Sequence, residues 1–384
     1  MIDQEKKQRT FYIILGDLFL ILIFFLAVVS AVFPDQDYSA TEKRALAKFP
    51  TLTVDSVLDG SFMDGIEDWA ADQFPYRDTL MQIKTQINLG LGTIRSQDVY
   101  RTLDGSLMEA FTMPSEDIFT EQTNAITDFS SRYPDSNFYF CLVPNAISVE
   151  TEKLPNAVLT DDQNVYIDKM ATAFNASGTF IDLRDTFSIN KTQMKLYYST
   201  DHHWTTDAAY LAWKDICQEM ELSSDLSYST GIVCNTFSGS LVSASGFPIS
   251  QYDAIKIYIP SEEPVYTITY DGAQKMTASV YAPEQLNSSD PYQIFFGGNH
   301  SKFTIRTGAD TERKLLILKD SYANCLIPFL IPDFSEITVI DPRYYYDDID
   351  LEMQSMGYTD VLFLYNVNTL SEDSCLVPVL NNEQ

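Results

Sequence analysis

Leu315-Leu316-Ile317-Leu318-Lys319-Asp320-Ser321-Tyr322 is the stretch on which the fold turns. Its apolar run is too short for a helix and reads as a strand buried on both faces, the kind found inside parallel sheets. The run stops at Lys319-Asp320-Ser321, where the chain passes into a helix expected over residues 321–330. Open α/β sheets carry their sites at the carboxyl ends of strands, so a serine delivered there is a candidate nucleophile. A serine at a helix start also sits beside unpaired backbone N–H groups able to receive a developing oxyanion. The competing reading of Asp320-Ser321 is a plain N-cap, the commonest use of either residue at such a place.

Working outward, the pattern alternates. Residues 138–143 form a second buried strand closing on Pro144-Asn145, and residues 179–183, 336–340 and 361–365 read as further strands. Helices are expected over 115–132, 161–174 and 206–221 from their apolar spacing. Strands alternating with helices predict a parallel sheet covered on both faces. Residues 99–103 and 107–111 flank Asp104-Gly105, a hairpin turn signal. Residues 222–313 break the alternation with Ser/Gly-rich loops and a second hairpin around Asp271-Gly272, and read as a β-rich insertion at the rim of the sheet.

A serine needs a base, and imidazole is the natural one at neutral pH. The chain has three histidines, two of them adjacent in Tyr197-Tyr198-Ser199-Thr200-Asp201-His202-His203-Trp204. On an extended loop Asp201 and His203 project to one side, leaving His202 to point the other way. His300 reads as a surface loop residue. The five cysteines, at 141, 217, 234, 325 and 375, have no metal spacing or close pair, so neither a structural metal nor a disulfide framework is expected.

Residues 11–33 are mostly Leu, Ile, Val and Phe, long enough to cross about 30 Å of hydrocarbon. Lys6, Lys7 and Arg9 precede the run, whereas Asp35 and Asp37 follow it, so residues 1–10 are expected to be a cytoplasmic tail and the rest extracytoplasmic. A cleavable signal peptide is the rival, with Val29-Ser30-Ala31 as its small-residue site, but the run exceeds a usual signal core. The reading is a single-pass membrane protein. Residues 34–97 follow as a membrane-proximal helical region: a short charged helix over 40–48, one over 58–74 and one over 77–91. Residues 98–384 form the main domain. The whole chain carries 54 acidic against 25 basic residues and a net charge of −29, which argues against nucleic acid or anionic lipid as a partner of this main body.

Thr200-Asp201-His202-His203-Trp204 with Thr205-Thr206-Asp207-Ala208-Ala209 resembles the DHHW family, named for its Asp-His-His-Trp signature. It is also similar to the SGNH-hydrolase-like domains of alginate O-acetyltransferases, which carry a Thr-Asp-x-His-Trp stretch. Glu42-Lys43-Arg44-Ala45-Leu46-Ala47-Lys48-Phe49-Pro50, Asp72-Gln73-Phe74-Pro75-Tyr76-Arg77-Asp78, Lys319-Asp320-Ser321-Tyr322-Ala323-Asn324 and Asp341-Pro342-Arg343-Tyr344 extend the resemblance. It implies an SGNH-like (flavodoxin-like) α/β fold: a parallel sheet flanked by helices, with the insertion 222–313 and an N-terminal transmembrane helix.

Carried over, the resemblance makes Ser321 the nucleophile, His203 the base and Asp201 the acid that orients it. Such families complete the oxyanion hole with a Gly and an Asn from separate blocks, for which Gly239, Asn299 and Asn324 are candidates here. Lys319 stands where glycine would precede Asp-Ser, and the Asp-x-His block precedes the serine. The function implied is O-acetylation of a cell-surface polysaccharide or envelope glycan by a membrane-anchored acyltransferase. No metal or cofactor is expected, and a multi-pass membrane partner would supply the acyl groups. A carbohydrate esterase of the same fold is the alternative, as is a non-catalytic glycan-binding envelope scaffold.

Overall fold

The computed structural model describes residues 2–39, 44–222, 226–249, 251–271 and 275–383. The chain divides into two compact units, Met1–Gly92 and Thr93–Gln384.

The first unit begins with one helix, Ile2–Val32, which takes in the polar segment expected as a tail. Its stretch Arg9–Ser30 is long and apolar enough to cross a membrane. Residues 40–43 of the expected charged helix lie outside the described residues. Their flanks, Tyr38–Ser39 and Arg44–Ala45, pair as an antiparallel ribbon, and the described residues 44–48 are not helical. The other two helices are Ser61–Asp72 and Arg77–Gly90. Against the first of these, Phe49 meets Trp69 edge-on at 5.1 Å, and the Trp69 indole N–H donates to Asp35 at 2.9 Å.

The second unit is built on a sheet that, among the described residues, has eight strands. In chain order these are β1 (Asn137–Val143), β2 (Thr179–Ile181), β3 (Tyr266–Tyr270), β4 (Lys275–Thr277), β5 (Lys302–Thr307), β6 (Lys314–Lys319), β7 (Glu336–Ile340) and β8 (Asp360–Asn366). Across the sheet they run β4-β3-β5-β7-β6-β8-β1-β2. The five from β7 to β2 are mutually parallel. The three at the other edge pair antiparallel. All three come from residues 222–313, so part of this segment extends the sheet itself. Gly272 of the expected hairpin lies outside the described residues, though β3 and β4 pair on either side of it.

The near-continuous apolar strands follow from the two-sided cover. Successive residues point to opposite faces. Tyr139, Cys141 and Val143 of β1, Leu315 and Ile317 of β6, and Leu362 and Leu364 of β8 join one core. Phe138, Phe140, Leu142, Leu316, Leu318, Val361 and Phe363 join the other. Helix α1 (Glu116–Arg132) and helix α2 (Gln163–Phe174) cover the second core with Ile126, Phe129, Ile167 and Met170. Helix α3 (Thr206–Glu219) covers the first with Ala208, Ala209, Ala212 and Trp213. Helix α2 starts two residues later than its apolar pattern implies, because the Asp162 side chain caps it by accepting from the Asn164 N–H. This is the SGNH-like α/β architecture, here a mixed sheet parallel over five strands with helices on both faces.

After β6 the expected helix does not form as one piece. Ser321–Cys325 is a 3₁₀ turn, followed by a four-residue α-helix, Ile327–Leu330, and another 3₁₀ turn. Pro328 and Pro332 account for this, since each lacks the N–H that a continuing helix would use. Residues 99–101 and 107–109 form the expected hairpin, with Gly105 at φ 87° in its turn.

Candidate active site

Ser321 stands just beyond the carboxyl end of β6, and the adjacent ends of β1 and β8 contribute Asn145 and Asn366. Asp320 settles the competition over the cap. Its carboxylate accepts from the Tyr322 N–H at 2.8 Å, and also from the Asn366 backbone N–H at 2.8 Å and Nδ2 at 2.6 Å. Asp320 therefore caps the turn and leaves the Ser321 hydroxyl for another use. Burial pushes the Asp320 carboxyl up to about 6 against the pull of those donors and of Arg343 and Lys319. Asn145 extends the network, donating through Nδ2 to Asn366 Oδ1 and the Tyr322 hydroxyl.

The second half of the site is a tight turn. Tyr197 and Trp204 form an antiparallel bridge, and the Tyr198 N–H donates to the His203 carbonyl at 3.2 Å. Asp253, fully buried, pins this turn by accepting from the Ser199 and Thr200 N–H groups, the Thr200 hydroxyl and Lys195. Two hydrogen bonds tie the turn to that of Ser321. The Trp204 indole N–H donates to the Tyr322 carbonyl at 2.9 Å, and the Tyr322 hydroxyl donates to the His202 carbonyl.

These constraints bring three side chains into line. His203 Nε2 lies 2.8 Å from Ser321 Oγ, and His203 Nδ1 lies 2.5 Å from Asp201 Oδ1. Burial opposes a charge on Asp201. His203 and His202, with the hydrogen bonds from His203 and the Ser240 N–H, outweigh it and hold the carboxyl well below its usual range. An ionised Asp201 can only accept, so the Nδ1 proton belongs to His203, and Nε2 is left to accept from the Ser321 hydroxyl. Asp201 and His203 are buried and Ser321 is half-buried, so a reagent meets the hydroxyl first. Chemically, such a line can deprotonate a serine as it attacks a carbonyl carbon.

His202 does not point away. The turn bends instead of running extended, and the alternation expected of a strand fails. Its ring lies 3.9 Å from that of His203, and its Nδ1 lies 2.6 Å from Ser240 Oγ. Burial, and next the neighbouring His203, lower its pKa. Asp201, His202 and His203 present ligand-type atoms within 4.8 Å of one another. The 2.5 Å separation of Asp201 and His203 is that of a shared proton, shorter than two atoms keep around one ion, so this donor set fits a relay better than a metal.

The oxyanion candidates fare differently. Gly239 spends its N–H on Thr200 Oγ1 at 3.0 Å. Glycine is required there for another reason, because a Cβ would stand 2.1 Å from Asp201 Cβ and 2.5 Å from its Cα. That approach lets the next amide, Ser240 N–H, donate to Asp201 Oδ2 at 2.7 Å. Asn299 is exposed, and its Oδ1 accepts from Lys319 Nζ at 2.9 Å. Lysine only donates, which fixes the Asn299 amide. Asn324 must then offer Nδ2 to Asn299 Oδ1, at 3.0 Å, leaving its own Oδ1 buried without a partner among the described residues. Asn324 thus commits one of its two Nδ2 hydrogens to Asn299. The Ser321 N–H is claimed by no acceptor among the described residues, and it remains as a donor.

Lys319, which replaces the glycine of the usual block, is fully buried against Asp341 at 3.1 Å. Asp341 also receives a two-pronged contact from Arg343 at 2.8 and 2.7 Å. Burial lowers the Lys319 pKa while Asp341 resists the shift. The sequence offered no signal for Asp253, which opens a strand in no motif. Asn366 was legible in principle as a polar residue ending an apolar strand at the edge where sites form. His300 is half-buried, with its Nε2 2.9 Å from the Phe296 carbonyl.

Fold and site together define an SGNH-like α/β domain with a serine, a histidine and an aspartate in hydrogen-bonded line. Residues 42–137 match the model of the DHHW proteins, and residues 109–236 match that of the SGNH hydrolase-like domain of acetyltransferase AlgX. The chain is therefore a relative of both. Among solved structures it is similar to a DHHW family protein from Eubacterium siraeum, at 24% identity and a TM-score of 0.64, over 74% of this chain and 94% of that one. It is also similar to Bacillus cereus PatB1 with sulfonyl adduct, at 23% identity and 0.59, over 73% and 96%. A looser likeness, 16% identity and a TM-score of 0.45 over 76% and 100%, relates it to the O-acetyltransferase domain of Pseudomonas putida AlgJ. No curated protein matches the chain.

Proposed function

We propose that the chain is a membrane-anchored serine O-acyltransferase that acetylates a cell-surface polysaccharide or envelope glycan. The observation that carries the reading is the 2.8 Å contact between His203 Nε2 and Ser321 Oγ, with Asp201 behind the ring. In the first half-reaction Ser321 Oγ bonds to the acyl carbonyl carbon and its proton passes to His203 Nε2. The tetrahedral intermediate expels the donor's leaving group, which takes that proton, and an acyl-serine ester remains. In the second, a glycan hydroxyl attacks the ester and gives its proton to His203, which passes it to Ser321 Oγ as that oxygen leaves the acyl carbon and the hydroxyl is restored. The Ser321 N–H is the donor we assign to the oxyanion, with the remaining donors unassigned.

The match to an acetyltransferase domain supports acyl transfer, and the apolar helix supports an anchor over residues 11–33. Residues 1–10 then lie inside, residues 34–97 link the anchor to the domain, and residues 98–384 work outside the cytoplasm. A multi-pass membrane partner would present the acyl group. Incubation with p-nitrophenyl acetate, with and without purified envelope glycan, tests the reading. Acetyl esters accumulating on the glycan, dependent on Ser321, support transfer. Nitrophenol release with no acetylated glycan would make the protein an esterase, and no turnover at all would favour a scaffold.

A further inference from the structure

Tyr292 lies in the inserted segment, in a 3₁₀ turn over Pro291–Ile294, and no motif points to it. Its ring is stacked on His203, with centroids 3.9 Å apart and planes 18° from parallel. His202 also lies 3.9 Å from that imidazole. Two rings at that distance cannot share one face, so His203 is held between Tyr292 and His202. Tyr292 is itself buried, 3% exposed, braced by Tyr198 edge-on at 6.4 Å, and its hydroxyl donates to the Ser321 carbonyl at 3.3 Å.

From this geometry we infer that Tyr292 is a positioning residue for the base, and that its ring face stabilises the imidazolium formed when His203 takes the Ser321 proton. The inference rests on the serine acyl-transfer reading above. An aromatic face carries negative charge density and attracts a cation, most strongly where water is excluded. The groups facing His203 are Asp201 at Nδ1, Ser321 at Nε2, His202 and Tyr292 on its two faces, and the Tyr322 ring at 5.4 Å. Of these, Asp201 supplies a full negative charge in the ring plane, and Tyr292 supplies the only ring stacked nearly parallel to it. The Cys325 thiol faces Tyr292 from the nucleophile's turn. The stack also fixes the plane in which Nε2 points at the serine, which a hydrogen bond to Asp201 alone leaves free to rock.

The test uses the full-length chain and p-nitrophenyl acetate. Tyr292→Phe keeps the ring and should keep most of the rate. Phenylalanines of increasing ring fluorination at the same position preserve shape while draining the ring face of charge. Across that series kcat should fall stepwise by about tenfold, with KM within twofold. The acidic limb of the kcat/KM profile should move to lower pH by about one unit, because the imidazolium loses support. Tyr292→Leu should repeat both changes if circular dichroism shows it folded. A flat fluorination series in an active enzyme overturns the assignment of Tyr292 alone. An unmodified protein that neither turns over ester nor labels at Ser321 takes down the acyl-transfer reading with it.

Discussion

The parallel strands and the stretch 222–313 divide the labour unequally. The parallel half, β7-β6-β8-β1-β2, delivers the nucleophile on a buried strand whose neighbours are apolar on both faces. The stretch 222–313, which adds the antiparallel edge, contributes no member of the Asp201–His203–Ser321 line. It does contribute Asp253, which pins the histidine turn, Gly239, which lets Asp201 receive the Ser240 N–H, and Tyr292, which stacks on the base. The reacting groups thus lie outside that stretch, and much of their support comes from it. Regular burial sets the position of Ser321, whereas irregular polar contacts set the orientation of its partners.

That contrast can be broken experimentally. The largest effects belong to the line itself: Ser321→Ala and His203→Ala should each lower kcat for p-nitrophenyl acetate by about 10⁶-fold, and Asp201→Asn by about 10⁴-fold. Next comes Gly239→Ala, whose methyl would collide with the Asp201 backbone. It should cost about 10²-fold in kcat, since an ångström of displacement is enough to disrupt such a geometry, with little change at Ser321 on the parallel strands. Asp253→Asn turns an NH2 donor towards one of the two facing N–H groups, of Ser199 or of Thr200, and should destabilise the domain by about 1–3 kcal/mol, read from urea unfolding.

The smallest effect sharpens the parallel half. The Asp320 carboxyl sits near 6 in the fold, above its unfolded value of 3.8. Between those values the folded chain holds a proton that the unfolded chain has released, so stability falls as pH rises through this window. Replacing the group by Asp320→Asn removes that slope. The Tm of the unmodified protein relative to the variant should decline from pH 4 to pH 6 and level off above, and an unchanged difference would contradict the buried-carboxyl account.

Much of this was legible because two-sided burial leaves a strong mark. The runs 314–318, 138–143 and 361–365 read as strands from apolarity alone, and the Asp-His-His-Trp and Lys-Asp-Ser-Tyr stretches named the residues that meet. What failed depended on tertiary geometry. His202 was expected to face away by strand alternation, but the turn is bent by the Tyr197–Trp204 bridge and the hydrogen bonds to Asp253. Asn324 matched a family block by type, yet its polarity is set by Lys319 acting through Asn299, three residues that no spacing rule connects. Tyr292 is one of 23 tyrosines, and nothing local distinguishes it from those in the core.

The most direct measurement is intact-protein mass spectrometry after exposure to a fluorophosphonate, followed by peptide mapping. One adduct on Ser321 is predicted, formed quickly in the unmodified chain, at least about 10²-fold more slowly in His203→Ala, and not at all in Ser321→Ala. Equal labelling of the unmodified chain and His203→Ala, or an adduct that persists in Ser321→Ala, would contradict the account.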